Sequence, residues 1–140
     1  MSNSLLINLS FLTAEPTGIG TYATNLFPEL QKLEPTLLTS QEIDNYNCYQ
    51  IPETLTPDRG SKGQINRILW TQFKLPQIYH KLRSHLIFSP LPEAPLYSGC
   101  RYIVTVHDLI PLRFPKRFSR LTAYCRYYIP QVLKQAEHII

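Results

Sequence analysis

Residues 102–115 read YIVTVHDLIPLRFP. The apolar, β-branched run 102–106 is typical of a short buried strand, and it leads directly to His107 and Asp108. Ionisable side chains at a strand's end are well placed for chemistry, so His107 and Asp108 are our candidate catalytic residues. From the residues alone, His107 could equally satisfy the strand end, and Asp108 could cap the loop.

A similar arrangement opens the chain. The apolar run 4–12 predicts a strand buried on both sides, as in a parallel sheet. The loop TAEPTG follows, and from Ile19 the apolar residues recur at the spacing of one helical face until Pro35. Pro28 is expected to distort this helix, because proline lacks an N–H and clashes with the preceding turn.

The turn between this strand and helix reads TGIGT, residues 17–21. Glycines there let a backbone approach a phosphate, while a helix N-terminus supplies free N–H donors. The turn lacks the third glycine of a dinucleotide fingerprint and the lysine of a P-loop. Gly18, Ile19, Gly20 and Thr21 are therefore candidates for a phosphate contact, with a plain tight turn as the alternative.

Strands and helices are predicted to alternate along the rest of the chain. The predicted elements are strands at 37–39 and 48–51, a loop at 52–63, a helix at 65–74 that resumes after Pro76 to Ser84, a strand at 86–89, a proline-rich loop PLPEAP, a helix at 119–136 and a strand from His138. This alternation predicts an α/β fold, a Rossmann-like parallel sheet with flanking helices.

Composition narrows the class of protein. With 140 residues, 44% of them hydrophobic, the chain has the size of one domain. No apolar run approaches the ~20 residues that span a bilayer, so we expect a cytoplasmic protein. The three cysteines form no CxxC pair, and no zinc or other metal site is predicted.

Charge is distributed unevenly. Residues 1–58 hold seven acids and one base, whereas residues 59–140 hold thirteen bases and three acids. The second half is therefore expected to meet an anionic partner. The basic, aromatic stretch after the HD pair contains Arg113, Lys116, Arg117 and Arg120. It could contact an anionic acceptor or membrane surface, bind nucleic acid, or form a solvated helix.

Five blocks together carry a resemblance. They are PTGIGTYATNLFPEL (16–30), RILWTQFKLPQ (67–77), LIFSPLPEAPL (86–96), YIVTVHDLIPLRFP (102–115) and YYIPQVLKQAEHII (127–140). In this order they resemble the N-terminal domain of glycosyltransferase family 4. Those enzymes are retaining transferases of GT-B fold, related to hexosyltransferases of polysaccharide and glycolipid assembly.

The resemblance implies an architecture and a set of partners. Residues 1–140 would form the N-terminal, acceptor-side Rossmann-like domain of a GT-B protein, incomplete at its C-terminal end. A C-terminal donor-binding domain with an E-x7-E pair would face it across a cleft, and this sequence does not contain one. We therefore expect the chain to be inactive alone. The substrates would be a nucleotide-sugar and a glycan or lipid-linked acceptor, with no metal or other cofactor.

The resemblance also implies roles for individual residues. Gly18 and Gly20 match the family's glycine turn near the donor diphosphate and acceptor. His107 matches the histidine that reaches the donor sugar, and Asp108 completes the family's HD pair. Thr21 stands where related sequences often carry arginine, which affects the charge preference for the acceptor.

Three functional classes follow. The first is a glycosyltransferase that transfers a hexosyl group, working in the cytoplasm or at the inner face of the membrane. The alternative is a non-catalytic module that binds an acceptor or pairs with a separate donor-binding domain. A nucleic-acid-binding protein is supported only by the basic charge, and we expect no nucleic acid as a partner.

Overall fold

The structure is a computed structural model that describes residues 5–16, 18–108, 113 and 123–140. The described residues form a six-stranded, all-parallel sheet. Its strands are β1 (Leu5–Asn8), β2 (Thr36–Thr39), β3 (Asn47–Gln50), β4 (Leu86–Ser89), β5 (Tyr102–Val104) and β6 (His138–Ile139). They lie in the order β3-β2-β1-β4-β5-β6. The predicted Rossmann-like α/β fold is confirmed.

Helices cover both faces of the sheet. Helix α1 (Ile19–Leu26) packs on one face, over a core that includes Ile7, Leu37 and Phe88. On the opposite face lie α2 (Gly60–Phe73), α3 (Leu75–Lys81) and α4 (Ile129–Gln135), over a core that includes Leu6, Ile87 and Val104. Neighbouring residues of one strand point to opposite faces, so strands of near-continuous apolar sequence serve both cores.

Several element bounds differ from those expected. Strand β1 is shorter than the apolar run 4–12, because the chain turns at Ser10 and the following residues pack as loop. The predicted loop at 52–63 is wrong from Gly60 onward, where α2 begins. The helix predicted from Ile19 to Pro35 changes type near Pro28: α1 ends at Leu26, and Phe27–Leu33 continue as a tighter 3₁₀ helix that closes with Glu34 in the left-handed conformation.

The helix predicted over 119–136 is described from residue 123. It begins as a π-helical turn, Tyr124–Tyr128, and continues as α4. In the described part of the chain, every helix is too short or too polar to cross a bilayer.

Tyr102 ties the sheet to α4, and this contact makes stability depend on pH. Its hydroxyl donates to the Val132 carbonyl at 2.5 Å, and burial raises the pKa of Tyr102 from 10.0 to about 12. The folded chain therefore holds this proton more tightly than the unfolded chain. The stabilisation is complete below pH 10 and is lost as the pH rises towards about 12.

We predict that urea unfolding of the wild type shows a fall in stability between about pH 10 and 12, the range set by the raised pKa. Tyr102→Phe should cost about 1 kcal/mol at neutral pH, because the Val132 carbonyl loses its donor. The same variant should show a smaller alkaline loss. Equal pH slopes in the two proteins would contradict this role of Tyr102.

Candidate functional site

The strand order reverses between β1 and β4, and ligands of open α/β sheets bind beside the carboxyl ends of strands at such a point. Buried polar side chains join the two strands there. Asn8 Nδ2 donates to Ser89 Oγ at 3.1 Å, and Ser89 Oγ donates to the Glu93 carbonyl at 2.8 Å. Asn8 Oδ1 also accepts from the Ser10 N–H, which fixes the turn after β1. The switch point is thus a rigid polar junction.

The predicted glycine turn leads into α1 at this junction. Gly18 has φ 55° and ψ −116°, a conformation that side-chain-bearing residues rarely adopt. Gly20 is needed for space, since a Cβ there would lie 2.8 Å from Pro16 Cβ. Among the residues that the structure describes, no side chain caps the start of α1 at Gly18, so N–H groups of its first turn are open to another acceptor. Thr21 Oγ1 donates to the Pro16 carbonyl at 3.1 Å, which closes the turn.

His107 reaches the same helix from β5. Its imidazole packs edge-on against the Tyr22 ring, with centroids 4.7 Å apart, and Tyr22 Oη shares a hydrogen bond with Thr105 Oγ1 at 3.2 Å. His107 Nε2 lies 2.5 Å from the Pro90 carbonyl. A carbonyl only accepts, so Nε2 is the donor in this contact, and in the tautomer protonated at Nε2 the other ring nitrogen, Nδ1, is an acceptor. Taken as a whole, the residue is exposed.

The remaining predicted site residues are only partly placed. Asp108 is exposed. Burial of the Cys125 thiol is the main cause of its raised pKa, and the negative charge of Asp108 raises that pKa further. Arg113 is exposed and helical. Lys116, Arg117 and Arg120 lie outside the described residues. The structure therefore brings the glycine turn and His107 together through Tyr22. The basic surface expected around Arg113, Lys116, Arg117 and Arg120 stays a prediction.

Sequence reasoning missed a buried ion pair beside the junction. Glu93 is 0% exposed and receives two hydrogen bonds from Arg67, Nε to Oε2 at 2.6 Å and Nη2 to Oε1 at 2.8 Å. Arg67 Nη1 also donates to the Leu55 carbonyl, and Tyr124 Oη donates to Glu93 Oε1 at 2.8 Å. This bidentate geometry with further hydrogen bonds is what a buried charge pair requires.

The ion pair raises the pKa values of Arg67 and of the neighbouring Tyr124. Burial alone would lower the pKa of the Arg67 guanidinium, but its hydrogen bond to Glu93 and that residue's charge raise it on balance. Burial and the charge of Glu93 raise the pKa of Tyr124 well above its ordinary range. Tyr124 therefore remains a protonated donor near neutral pH. Because Arg67 is neutralised by Glu93, it is not a free cation for phosphate.

A pocket of about 410 Å³ lies between the glycine turn and the start of α2. Ile19 and Gly20 line one side, and Asp58 and Arg67 line the other. The described residues that line this pocket do not include His107. Among the residues the structure describes, no three His, Cys, Asp or Glu side chains are grouped so that they could hold a metal ion.

A known protein family matches most of the chain. The family model described as Glycosyltransferase Family 4 matches residues 16–140, which include the glycine turn, Arg67, Glu93 and His107. A search of curated proteins finds no match to the chain.

We predict that Arg67→Met destabilises the fold by about 3–5 kcal/mol, because it leaves the Glu93 carboxylate buried without its partner. Adding Glu93→Leu should restore part of that loss, giving a large coupling in a double-mutant cycle measured by urea unfolding. The matched control is Arg101→Met, which breaks the exposed pair with Glu137 and should cost less than about 1 kcal/mol. Equal costs for the two arginine variants would contradict the account.

Proposed function

Because the chain belongs to glycosyltransferase family 4, with a model match over residues 16–140, we propose that it is the acceptor-side domain of an enzyme that transfers a hexosyl group from a nucleotide-sugar to a glycan or lipid-linked acceptor. Membership of the family implies glycosyl transfer, with a nucleotide-sugar and an acceptor as ligands. The retaining outcome and the sugar identity belong to this proposal.

One observation supports the proposal: the packing of His107 on Tyr22, which brings the imidazole beside the first turn of α1, the helix that begins near the switch point of the sheet. Transfer breaks the bond between the anomeric carbon of the donor sugar and an oxygen of the diphosphate, forms a bond from that carbon to the acceptor hydroxyl, and releases the nucleoside diphosphate. A site that handles both therefore needs a sugar contact and an anion contact close together.

We assign His107 the sugar contact. Its ring is held by Tyr22 and the Pro90 carbonyl, so it is oriented before any ligand arrives. With Nε2 engaged, Nδ1 would accept a hydrogen bond from a sugar hydroxyl. Transfer through an oxocarbenium-like transition state gains from such fixed polar groups without requiring a strong base. Asp108 stands next to it in a supporting role.

We assign the glycine turn the anion contact. The uncapped first-turn N–H groups of α1 and the positive end of its dipole favour a phosphate or an anionic acceptor group. Gly20 lets Pro16 pack closely against α1, because a Cβ there would lie 2.8 Å from Pro16 Cβ. Arg67 is committed to Glu93, so this wall offers backbone donors more than side-chain cations to a diphosphate.

This wall supplies one side of a cleft, and we propose that a second, donor-binding domain supplies the other. The enzyme would act in the cytoplasm, at the inner face of the membrane if its acceptor is lipid-linked. The alternative is a non-catalytic module with the same fold and the same pocket. In that case, the turnover of an enzyme that contains this chain would not depend on His107.

We predict that the purified 140-residue chain transfers no sugar from common nucleotide-sugars, because the proposed donor-binding wall is not among its residues. The assay measures release of the nucleoside diphosphate, with and without candidate acceptors. Transfer or donor hydrolysis by the chain alone would show that this domain holds the complete active site.

In an enzyme that contains this chain together with a donor-binding domain, His107→Ala should lower kcat about 100-fold, the size expected for loss of one oriented contact in the transition state. Thermal unfolding should change little, because the residue is exposed and the variant loses one part-buried hydrogen bond. His80→Ala, at an exposed residue of α3, is the matched control and should leave kcat unchanged. Unchanged kcat in His107→Ala would favour the non-catalytic alternative.

A further inference from the structure

A second pocket, of about 340 Å³, lies between the edge strand β3 and the consecutive helices α2 and α3. We call it the β3 pocket. Its volume falls within the range of about 300–1,000 Å³ that is typical of small-molecule sites. The described residues that line it are all different from those that line the pocket at the switch point. The β3 pocket is therefore a separate site, and binding of a ligand there does not require sugar transfer.

One face of the two helices forms a wall of the β3 pocket. The helices meet at Lys74, whose carbonyl accepts from the Ile78 N–H at 3.1 Å, so the helical geometry continues from α2 into α3. Trp70, Lys74 and Lys81 recur at helical spacing along this face, and all three line the pocket. The wall thus combines an aromatic ring with two ammonium groups.

The β3 pocket has an apolar floor and a cationic rim. Trp70 is 7% exposed and Ile51 is 4% exposed, so these side chains lie at the floor. Lys74 and Lys81 are exposed and lie at the rim. From the strand side, Tyr49 completes the lining, with its ring centroid 6.0 Å from Lys81 Nζ. Apolar and aromatic groups with a few charged groups at one side are the usual composition of a small-molecule site.

The positive charge at the rim is not balanced by acidic side chains. From residue 59 to residue 92 the sequence contains bases but no acid, and Lys74 and Lys81 lie in this segment. In the part of the chain that the structure describes, neither lysine forms an ion pair, and the residues lining the β3 pocket include no carboxylate. Glu53, next in sequence to the lining residue Pro52, lines a different cavity. The β3 pocket is therefore complementary to an anion.

We propose that the β3 pocket binds a small aromatic anion, a flat ring that carries a carboxylate or a phosphate. The ring would lie on the apolar floor, where Tyr49 and Trp70 offer aromatic contacts. The anionic group would meet the two lysine ammonium groups, and the amide of Gln77, which also lines the pocket, would supply a further hydrogen bond. An inorganic anion would leave the floor uncovered, and a neutral ring would leave the lysines without a counter-charge.

The chain contains its own reporter for this pocket. Trp70 is the single tryptophan of the sequence, and it lies in the floor of the β3 pocket. A ligand that covers the floor changes the surroundings of the indole ring. A saturable change in tryptophan fluorescence therefore reports on binding in this pocket.

The test is a fluorescence titration of the 140-residue chain with benzoate and with adenosine monophosphate, which distinguish an aromatic acid from a nucleotide as the source of the anion. Benzyl alcohol and adenosine are the matched neutral rings, and inorganic phosphate is the anion without a ring. We expect saturable binding of at least one aromatic anion, weakened by salt, and binding of its neutral counterpart and of phosphate that is weaker by about tenfold or more. The proposal is overturned if neither aromatic anion binds, or if the neutral rings or phosphate bind equally well.

Variants identify the cations. Lys74→Gln/Lys81→Gln should weaken binding of the aromatic anion by about tenfold or more, because both charged partners are removed. Lys32→Gln/Lys62→Gln is the matched control: it removes the same charge at exposed lysines that do not line the β3 pocket, and it should bind like the wild type.

All four substituted side chains are exposed and glutamine favours helices, so far-UV circular dichroism should stay the same in both double variants. Undiminished binding by the Lys74/Lys81 variant would contradict the assignment of these two cations. An equal loss in the Lys32/Lys62 variant would do so as well, since the attraction would then come from the net charge of the chain.

Discussion

The carboxylate of Glu93 has no access to solvent, and the arrangement of the site depends on how that charge is satisfied. Arg67 approaches it from α2 with two hydrogen bonds, and Tyr124 approaches from the segment that leads into α4. An unpaired charge in this position would cost several kcal/mol. The three elements are therefore held around the loop that follows β4, because separating any one of them would leave the carboxylate unsatisfied.

That loop sets the position of the histidine. Within it, the Glu93 carbonyl accepts from Ser89, and the Pro90 carbonyl faces His107 Nε2. The imidazole also rests on Tyr22, whose hydroxyl meets Thr105 at the end of β5. The ring is thus oriented from two sides by groups that belong to the sheet and its loops. A polar group with so little freedom loses little entropy when it meets a ligand, which suits a role in transition-state binding.

The sequence was sufficient to predict the fold, because a parallel sheet has a strong periodic signature. Buried strands such as 86–89 and the helical spacing after Ile19 are both visible from side-chain type alone, and the distortion expected at Pro28 is the change from α1 to a 3₁₀ helix after Leu26. The start of α2 was missed, because the glycines at 60 and 63 are typical of loops. At Gly63 the reason is contact: a Cβ would lie 2.2 Å from the Thr56 carbonyl oxygen, so the helix needs glycine for close approach.

The site was predictable only where a motif lies at a strand's end. The glycine turn and His107 were identified in this way, although their contact through Tyr22 depends on the strand order, which local patterns do not specify. The pairing of Arg67 with Glu93 spans 26 residues and has no periodic signal. A glutamate between prolines in an otherwise apolar loop was the available hint, since such a residue needs a buried partner.

The central claim is that the glycine-turn helix and the HD pair form one site. It can be tested directly by nuclear Overhauser spectroscopy on the wild-type chain, using the ring protons of Tyr22 and His107. With ring centroids 4.7 Å apart, the account predicts strong cross-peaks between the two rings. A His107 ring that shows cross-peaks only to its sequence neighbours, with none to Tyr22, would contradict it.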